Sequence, residues 1–241
     1  MKKYLVVILF IFTAIESQAL SDRIRMGLAV SPGIAWSKPM GKDLNKGRPR
    51  FGVSYGFVLE YWFARNYGLV SGINGAFDGC NVKGRDQFEI ENGIQVRKIT
   101  EKYGFHYLEL PAYIKMKSND IKGSKFCFWG QVGATINITL SARANYSDSI
   151  PDINGNNILI EQEKILRPNN DVATIIPKFH SNFFDVRLGA GAGMEYRFDD
   201  RTSFFGGLFY HNGFINNIID HDVKKEANVM RFFSLKAGVL F

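Results

Sequence analysis

Phe51-Gly52-Val53-Ser54-Tyr55-Gly56-Phe57-Val58-Leu59-Glu60-Tyr61-Trp62-Phe63 has two different faces when read as a strand. Every odd position carries a large apolar or aromatic side chain, while the even positions hold glycine, serine, valine, glutamate and tryptophan. Successive side chains of a β-strand point to opposite sides, so the period of two gathers the bulky groups on one face. The run is about twice the length of an ordinary soluble strand and, once tilted, is long enough to cross a bilayer.

The pattern returns twice at full strength. At 126–140, Phe126, Phe128, Val132, Ala134, Ile136, Ile138 and Leu140 alternate with Cys127, Trp129, Gln131, Gly133, Thr135, Asn137 and Thr139. At 184–198, Val186, Leu188, Ala190, Ala192, Met194 and Tyr196 alternate with Asp185, Arg187, Gly189, Gly191, Gly193, Glu195 and Arg197. Weaker versions occupy 24–35, 67–77, 105–116, 203–213 and 229–241, which predicts about eight strands and an all-β chain. The expected connections alternate between long (37–49, 78–101, 141–182, 214–228) and short (64–66, 117–124, 199–201). Long loops on one side and short turns on the other is the arrangement of outer-membrane barrels, with the short turns in the periplasm. Asn154-Gly155 predicts an extra hairpin inside the longest connection.

A soluble sandwich also alternates, but apolar rows of six or seven large residues per strand exceed what one soluble core needs. Lipid wets every outward position of a barrel. Tyr61, Phe63, Tyr67, Phe126, Phe128, Tyr196 and Phe198 gather where the short turns are expected, at the level of a membrane-interface girdle. After residue 19 no apolar run reaches 18 residues, so the chain does not cross a membrane with helices. The reading is a single closed antiparallel transmembrane β-barrel in the outer membrane, in contact with its lipid.

Met1-Lys2-Lys3, the apolar stretch from Tyr4 to Ile15 and Ser17-Gln18-Ala19 have the order of a secretory signal. Residues 1–19 are therefore set aside as a signal peptide, and 20–241 are expected to form one barrel domain. The chain has 21 Phe, 10 Tyr and 24 Gly but only 2 Cys, so disulfides do not frame the fold. Cys80 is expected in a polar loop and Cys127 in a strand, near opposite ends of the barrel and unbridged, because a disulfide needs Cα atoms within about 7 Å. The net charge of +7 is spread among acids without a basic cluster, which argues against a nucleic-acid partner. Phe233, Leu235, Ala237 and Val239 alternate up to Phe241, resembling the C-terminal strand that outer-membrane barrels present to the barrel assembly machinery.

Three segments carry a family resemblance: Tyr107-Leu108-Glu109-Leu110-Pro111-Ala112-Tyr113-Ile114-Lys115, the stretch from Asp185 to Tyr196, and Gly207-Leu208-Phe209-Tyr210-His211-Asn212-Gly213-Phe214. Together they resemble the PorT-like outer-membrane β-barrel family. The resemblance implies the barrel fold over nearly all of the chain beyond residue 19, and some relatives serve type IX protein secretion.

Eight strands enclose a space just wide enough for side chains, so the interior is expected to be filled. Glu60, Glu109, Asp185 and Glu195 are placed to face Lys115, Arg187, Arg197 and Lys236 there, a set that can neutralise itself. A selective pore would show one sign of charge. Pro111 cannot donate to the ladder and predicts a bulge or local break. His106, His180, His211 and His221 are expected near the outer loops, with acids beside His221 in Asp220-His221-Asp222. No nucleophile or matched base is spaced to act with them, and no ligand spacing names a metal. The chain is thus read as a non-enzymatic scaffold or partner-binding barrel without catalytic residues, cofactor or metal. Its partner is expected in a secretion apparatus or outside the cell. A small-solute channel and a rim hydrolase using His211 or His221 are the alternatives.

Overall fold

The computed structural model describes residues 23–39, 44–90, 93–121, 123–151, 157–166, 179–181, 183–199, 202–215, 218–220 and 228–241; the expected signal peptide at 1–19 lies outside them. The described strands are β1 (Ile24–Pro39), β2 (Leu44–Lys46), β3 (Arg50–Ala64), β4 (Tyr67–Ile90), β5 (Gly93–Lys117), β6 (Phe126–Pro151), β7 (Asn157–Leu166), β8 (Phe179–Ser181), β9 (Phe184–Arg197), β10 (Ser203–Gly213), β11 (Ile218–Asp220) and β12 (Asn228–Leu240).

Eight of these pair in a ring. In order around it run β1, β3, β4, β5, β6, β9, β10 and β12, and β12 returns to β1, every pairing antiparallel. A ring has no open edge, so its ladder is satisfied without water, as a hydrocarbon surrounding demands. The closing seam runs from Gly27↔Leu240 to Pro39↔Asn228. Below it Phe241 and Met26 exchange backbone hydrogen bonds of 2.7 and 3.1 Å.

The alternation read from the sequence is the alternation of the barrel wall. On β3, Phe51, Tyr55, Phe57, Leu59, Tyr61 and Phe63 face outward and are exposed, while Ser54, Val58 and Glu60 face inward and are buried. Val132, Leu188, Leu208 and Leu235 are each more than half exposed on neighbouring strands, forming a lipid-facing band. Tyr61, Phe63, Tyr67, Phe126, Phe128 and Phe198 are exposed beside the short turns, and Tyr196 packs on Phe126 with ring centroids 4.7 Å apart.

Two of the expected long loops are largely sheet. Residues 78–90 and 93–101 continue β4 and β5 as a registered hairpin up to Ile90↔Gly93, and β6 runs on to Pro151. β7 then folds back along β6 from Pro151↔Asn157 to Ala142↔Leu166. This is the extra hairpin expected around Asn154-Gly155, whose own residues lie outside those described. β2 pairs with the far end of β4, and β8 pairs with β11.

A bulge explains how β6 serves both regions. His106 pairs with Ser141 but Tyr107 pairs with Thr139, so Leu140 is the extra residue. Before it the odd positions Thr135, Asn137 and Thr139 are buried; after it the even positions Ala142 and Ala144 are. One inserted residue swaps the faces of everything beyond it. Pro111 produces the break expected of it: the β4–β5 ladder passes from Ser71↔Ala112 to Asn74↔Glu109 without a register change.

Cys80 is not in a polar loop but buried in β4, because the sheet continues past Phe77. Cys80 does lie far from Cys127. It pairs with Tyr103 and Tyr103 with Ala144, which stands on β6 at position 144 against 127, tens of ångströms along the strand at about 3.3 Å per residue.

Candidate functional site in the lumen

The inward side chains fill the barrel in layers, starting at the short-turn end. Glu60 on β3, Lys115 on β5 and Glu195 on β9 occupy inward positions of strands far apart in the chain. Lys115 Nζ donates to Glu60 and lies 3.4 Å from Glu195 Oε2. Arg25 Nη1 donates to Glu195 Oε1 at 2.7 Å, Lys117 Nζ at 3.0 Å and Ser203 Oγ at 2.9 Å. All three ions at the centre are buried, and the rings of Trp62, Trp129 and Phe205 stand 5.6 to 5.7 Å from the Lys115 ammonium. Charges this deep persist only when paired, and here each acid has a cation within reach.

Above this cluster Trp129, Phe209 and Tyr113 cross the lumen, with Tyr113 Oη 2.8 Å from Thr135 Oγ1 and Lys236 over the Phe209 ring at 5.1 Å. Glu109 accepts from Ser54 Oγ at 2.6 Å. Next comes Arg187, whose Nε donates to Asp185 at 2.6 Å and whose Nη1 donates to Asp78 at 2.5 Å, while its guanidinium lies 4.8 Å from the Tyr107 ring. Asn137 also donates to Asp185, at 3.3 Å. A stack of Tyr107, Phe105 and Tyr103, packed with Met230, Phe232, Ala142 and Ala144, fills the extended end. Between the layers is a cavity of about 30 Å³ among Ser54, Glu109, Tyr113, His211 and Lys236, the volume of one water molecule. A wider bowl of about 720 Å³ opens at the short-turn end, with Arg23, Arg65 and Lys117 on its wall.

The expected interior set is thus largely brought together. Glu60, Glu109, Asp185, Glu195, Lys115, Arg187 and Lys236 all face the lumen. Arg197 does not: it sits at the rim, exposed, with Asp120 Oδ1 3.1 Å away, because it is the last residue of β9. Arg25, Lys117 and Asp78 were missed. Arg25 is an inward residue at the start of the expected 24–35 strand, Lys117 lies one residue beyond the expected 105–116 strand, and Asp78 was assigned to a loop although it follows Phe77 in the same strand.

Among the described residues the histidines do not form a common rim site. His211 on β10 faces inward against Tyr113, Phe209 and Phe232, with centroids 6.4, 5.8 and 6.1 Å away. His106 faces outward against Phe77. His180 pairs with Ile219 in the β8–β11 sheet, and His221 lies outside the described residues. Among the described residues no three His, Cys, Asp or Glu side chains converge as metal ligands.

The description of the outer membrane protein β-barrel domain family matches residues 16–219. The chain belongs to that family. Solved structures to which this outer-membrane barrel is similar include Ail, the attachment invasion locus protein of Yersinia pestis, at 15% identity, covering 90% of this chain and 98% of that one with a TM-score of 0.33. Neisserial surface protein A is another, at 13% identity, 89% and 95% coverage and a TM-score of 0.39. The outer membrane protease OmpT of Escherichia coli is a third, at 10% identity, 92% and 97% coverage and a TM-score of 0.38. No curated protein matches the sequence. Family membership places the barrel in the outer membrane; barrels there keep short turns in the periplasm and long connections outside, which is the orientation expected for the bowl and for the β4–β7 extension.

Proposed function

We propose that this protein is a sealed, non-enzymatic outer-membrane scaffold that presents its extracellular sheet to a protein partner, and that the partner belongs to a type IX secretion apparatus. The filled lumen carries the sealed reading. Paired ions alternate with layers of aromatic rings, so a solute would have to displace Trp129, Phe209 and the Arg187 cluster in turn. A conducting path of one charge sign, as a selective channel uses, is not what these pairs resemble.

The extension supports the partner reading. β4, β5, β6 and β7 build paired sheet well beyond the lipid-facing band, which membrane anchoring alone does not require. The link to type IX secretion rests on the sequence resemblance of 107–115, 185–196 and 207–214. The hydrolase alternative is weakened because His211 is packed among rings inside the barrel.

In a planar bilayer the pure protein should give no sustained single-channel current; large steady currents would refute the sealed lumen. In a deletion strain, cargo proteins should accumulate in the periplasm. An unchanged secretome would refute the secretion role while leaving the scaffold reading to be judged by cross-linking at the extension.

A further inference from the structure

Where the lipid-facing band ends and the extracellular sheet begins, the outer wall changes character over a few residues. On β4 and β5 the apolar outward row ends at Phe77↔His106, whose rings meet edge to face at 4.4 Å. On β6 it ends at Leu140, 62% exposed. One step further out, the outward positions are Gly79 on β4, its partner Gly104 on β5, and Arg143 opposite Gly104 on β6. One step beyond that is Lys102, paired with Asn81 and Asn145. Arg143 and Lys102 are both exposed, and as diagonal neighbours on one face they stand about 7–8 Å apart.

The two adjacent glycines leave a bare shelf, and Arg50 lies across it. A Cβ at Gly79 would be 3.1 Å from Arg50 Nη1, and one at Gly104 would be 3.8 Å from it. That nitrogen donates to the Tyr103 carbonyl at 2.6 Å, which anchors the guanidinium over the shelf and leaves further N–H donors on the group. Asp78, the acid beside Gly79 in the chain, is turned into the lumen onto Arg187.

We propose that Arg50, Lys102 and Arg143 form a binding site for the phosphate groups of outer-leaflet lipid. Three cations, from β3, β5 and β6, gather within one outward step of each other along the wall, directly above a surface that contacts acyl chains, which is where a bound lipid carries its headgroup. Guanidinium groups match phosphate oxygens with paired N–H donors, and an arginine already anchored by a carbonyl loses little freedom on binding. Continuity with the lipid-facing band selects a lipid over a soluble anion, which would have no use for Phe77 and Leu140 beneath it.

The test uses the full-length barrel in zwitterionic micelles, with diphosphoryl lipid A and its dephosphorylated form as probes and bound lipid counted by native mass spectrometry. The wild type should prefer the diphosphoryl form at least tenfold, and the R50Q/K102Q/R143Q variant should lose that preference. Gly104→Leu keeps every charge and meets only Arg50 within 4 Å of its Cβ, so the barrel should fold and the preference should still fall severalfold as the guanidinium is pushed off the shelf. Unchanged heat-modifiable gel migration confirms folding of each variant, and K102Q/R143Q replaces the triple variant if that one fails to fold. Equal binding of both lipids by the wild type, retention of the preference in the charge variants, or indifference to Gly104→Leu would overturn the proposal. Binding of a soluble sulfated polysaccharide as tightly as lipid A would assign the patch to a soluble partner and overturn it as well.

Discussion

Lys115→Met should destabilise the barrel by about 3 kcal/mol, roughly a 100-fold fall in the folding equilibrium. The magnitude follows from which acid is stranded. Removing one partner of a buried pair typically costs about 3–5 kcal/mol because the other ion stays buried without compensation. Here Glu195 keeps Arg25 at 2.7 Å and Lys117 at 3.0 Å, so it is not stranded. Among the described residues the one ion pair left to Glu60 is Arg25 at 3.8 Å, so one orphan is made and the low end of the range applies. Glu195→Gln should cost less, about 1–2 kcal/mol. Lys115 retains Glu60, and Arg25 and Lys117, whose side chains are 20% and 14% exposed, can turn toward water in the periplasmic bowl. The double variant Lys115→Met with Glu60→Leu removes the orphan and should recover most of the loss. Urea titration of folding into phosphatidylcholine vesicles, read by the fraction of heat-modifiable band, measures all four proteins. A single variant within about 0.5 kcal/mol of wild type, or a double variant worse than the single, would refute the idea that Lys115 is held by an unmet need of Glu60.

Two adjacent glycines on β10 should respond unequally to the same change. Gly207→Val puts a Cβ 2.5 Å from both Trp129 Cζ2 and the Ala192 carbonyl, so overpacking should cost about 1–3 kcal/mol or more, seen as a lower conversion temperature of the heat-modifiable band. Gly206→Val points outward, with only the Lys236 carbonyl at 3.9 Å, and should be near neutral; equal losses would contradict the assignment of faces. An epitope inserted between Asn154 and Gly155 should be labelled on intact cells, and one between Asn119 and Asp120 only after the outer membrane is permeabilised. The reverse result would invert the topology.

The eight strands of the ring, the outward face of their lipid-facing stretches and the membrane setting were legible in the sequence, because a period of two is a local property and lipid enforces it strictly. On β3, β9 and β6 up to Leu140, the greasy face of the sequence is the exposed face of the barrel. The reading failed beyond residue 77 on β4 and before 105 on β5, where Asp78, Gly79, Cys80 and Asn81 break the apolar row. There the outward face meets water and basic side chains, lipid no longer demands an apolar partner, and a real strand looks like a loop. His211 and Arg197 were misplaced for a related reason: each lies at a strand end, where one or two residues of register decide between lumen and rim. Only closure of the ring could choose the partners of the buried charges. Glu60 and Glu195 stand 135 positions apart in the chain, on strands that never touch, and Lys115 binds both because a ring of eight strands is narrow enough for one ammonium to reach across it.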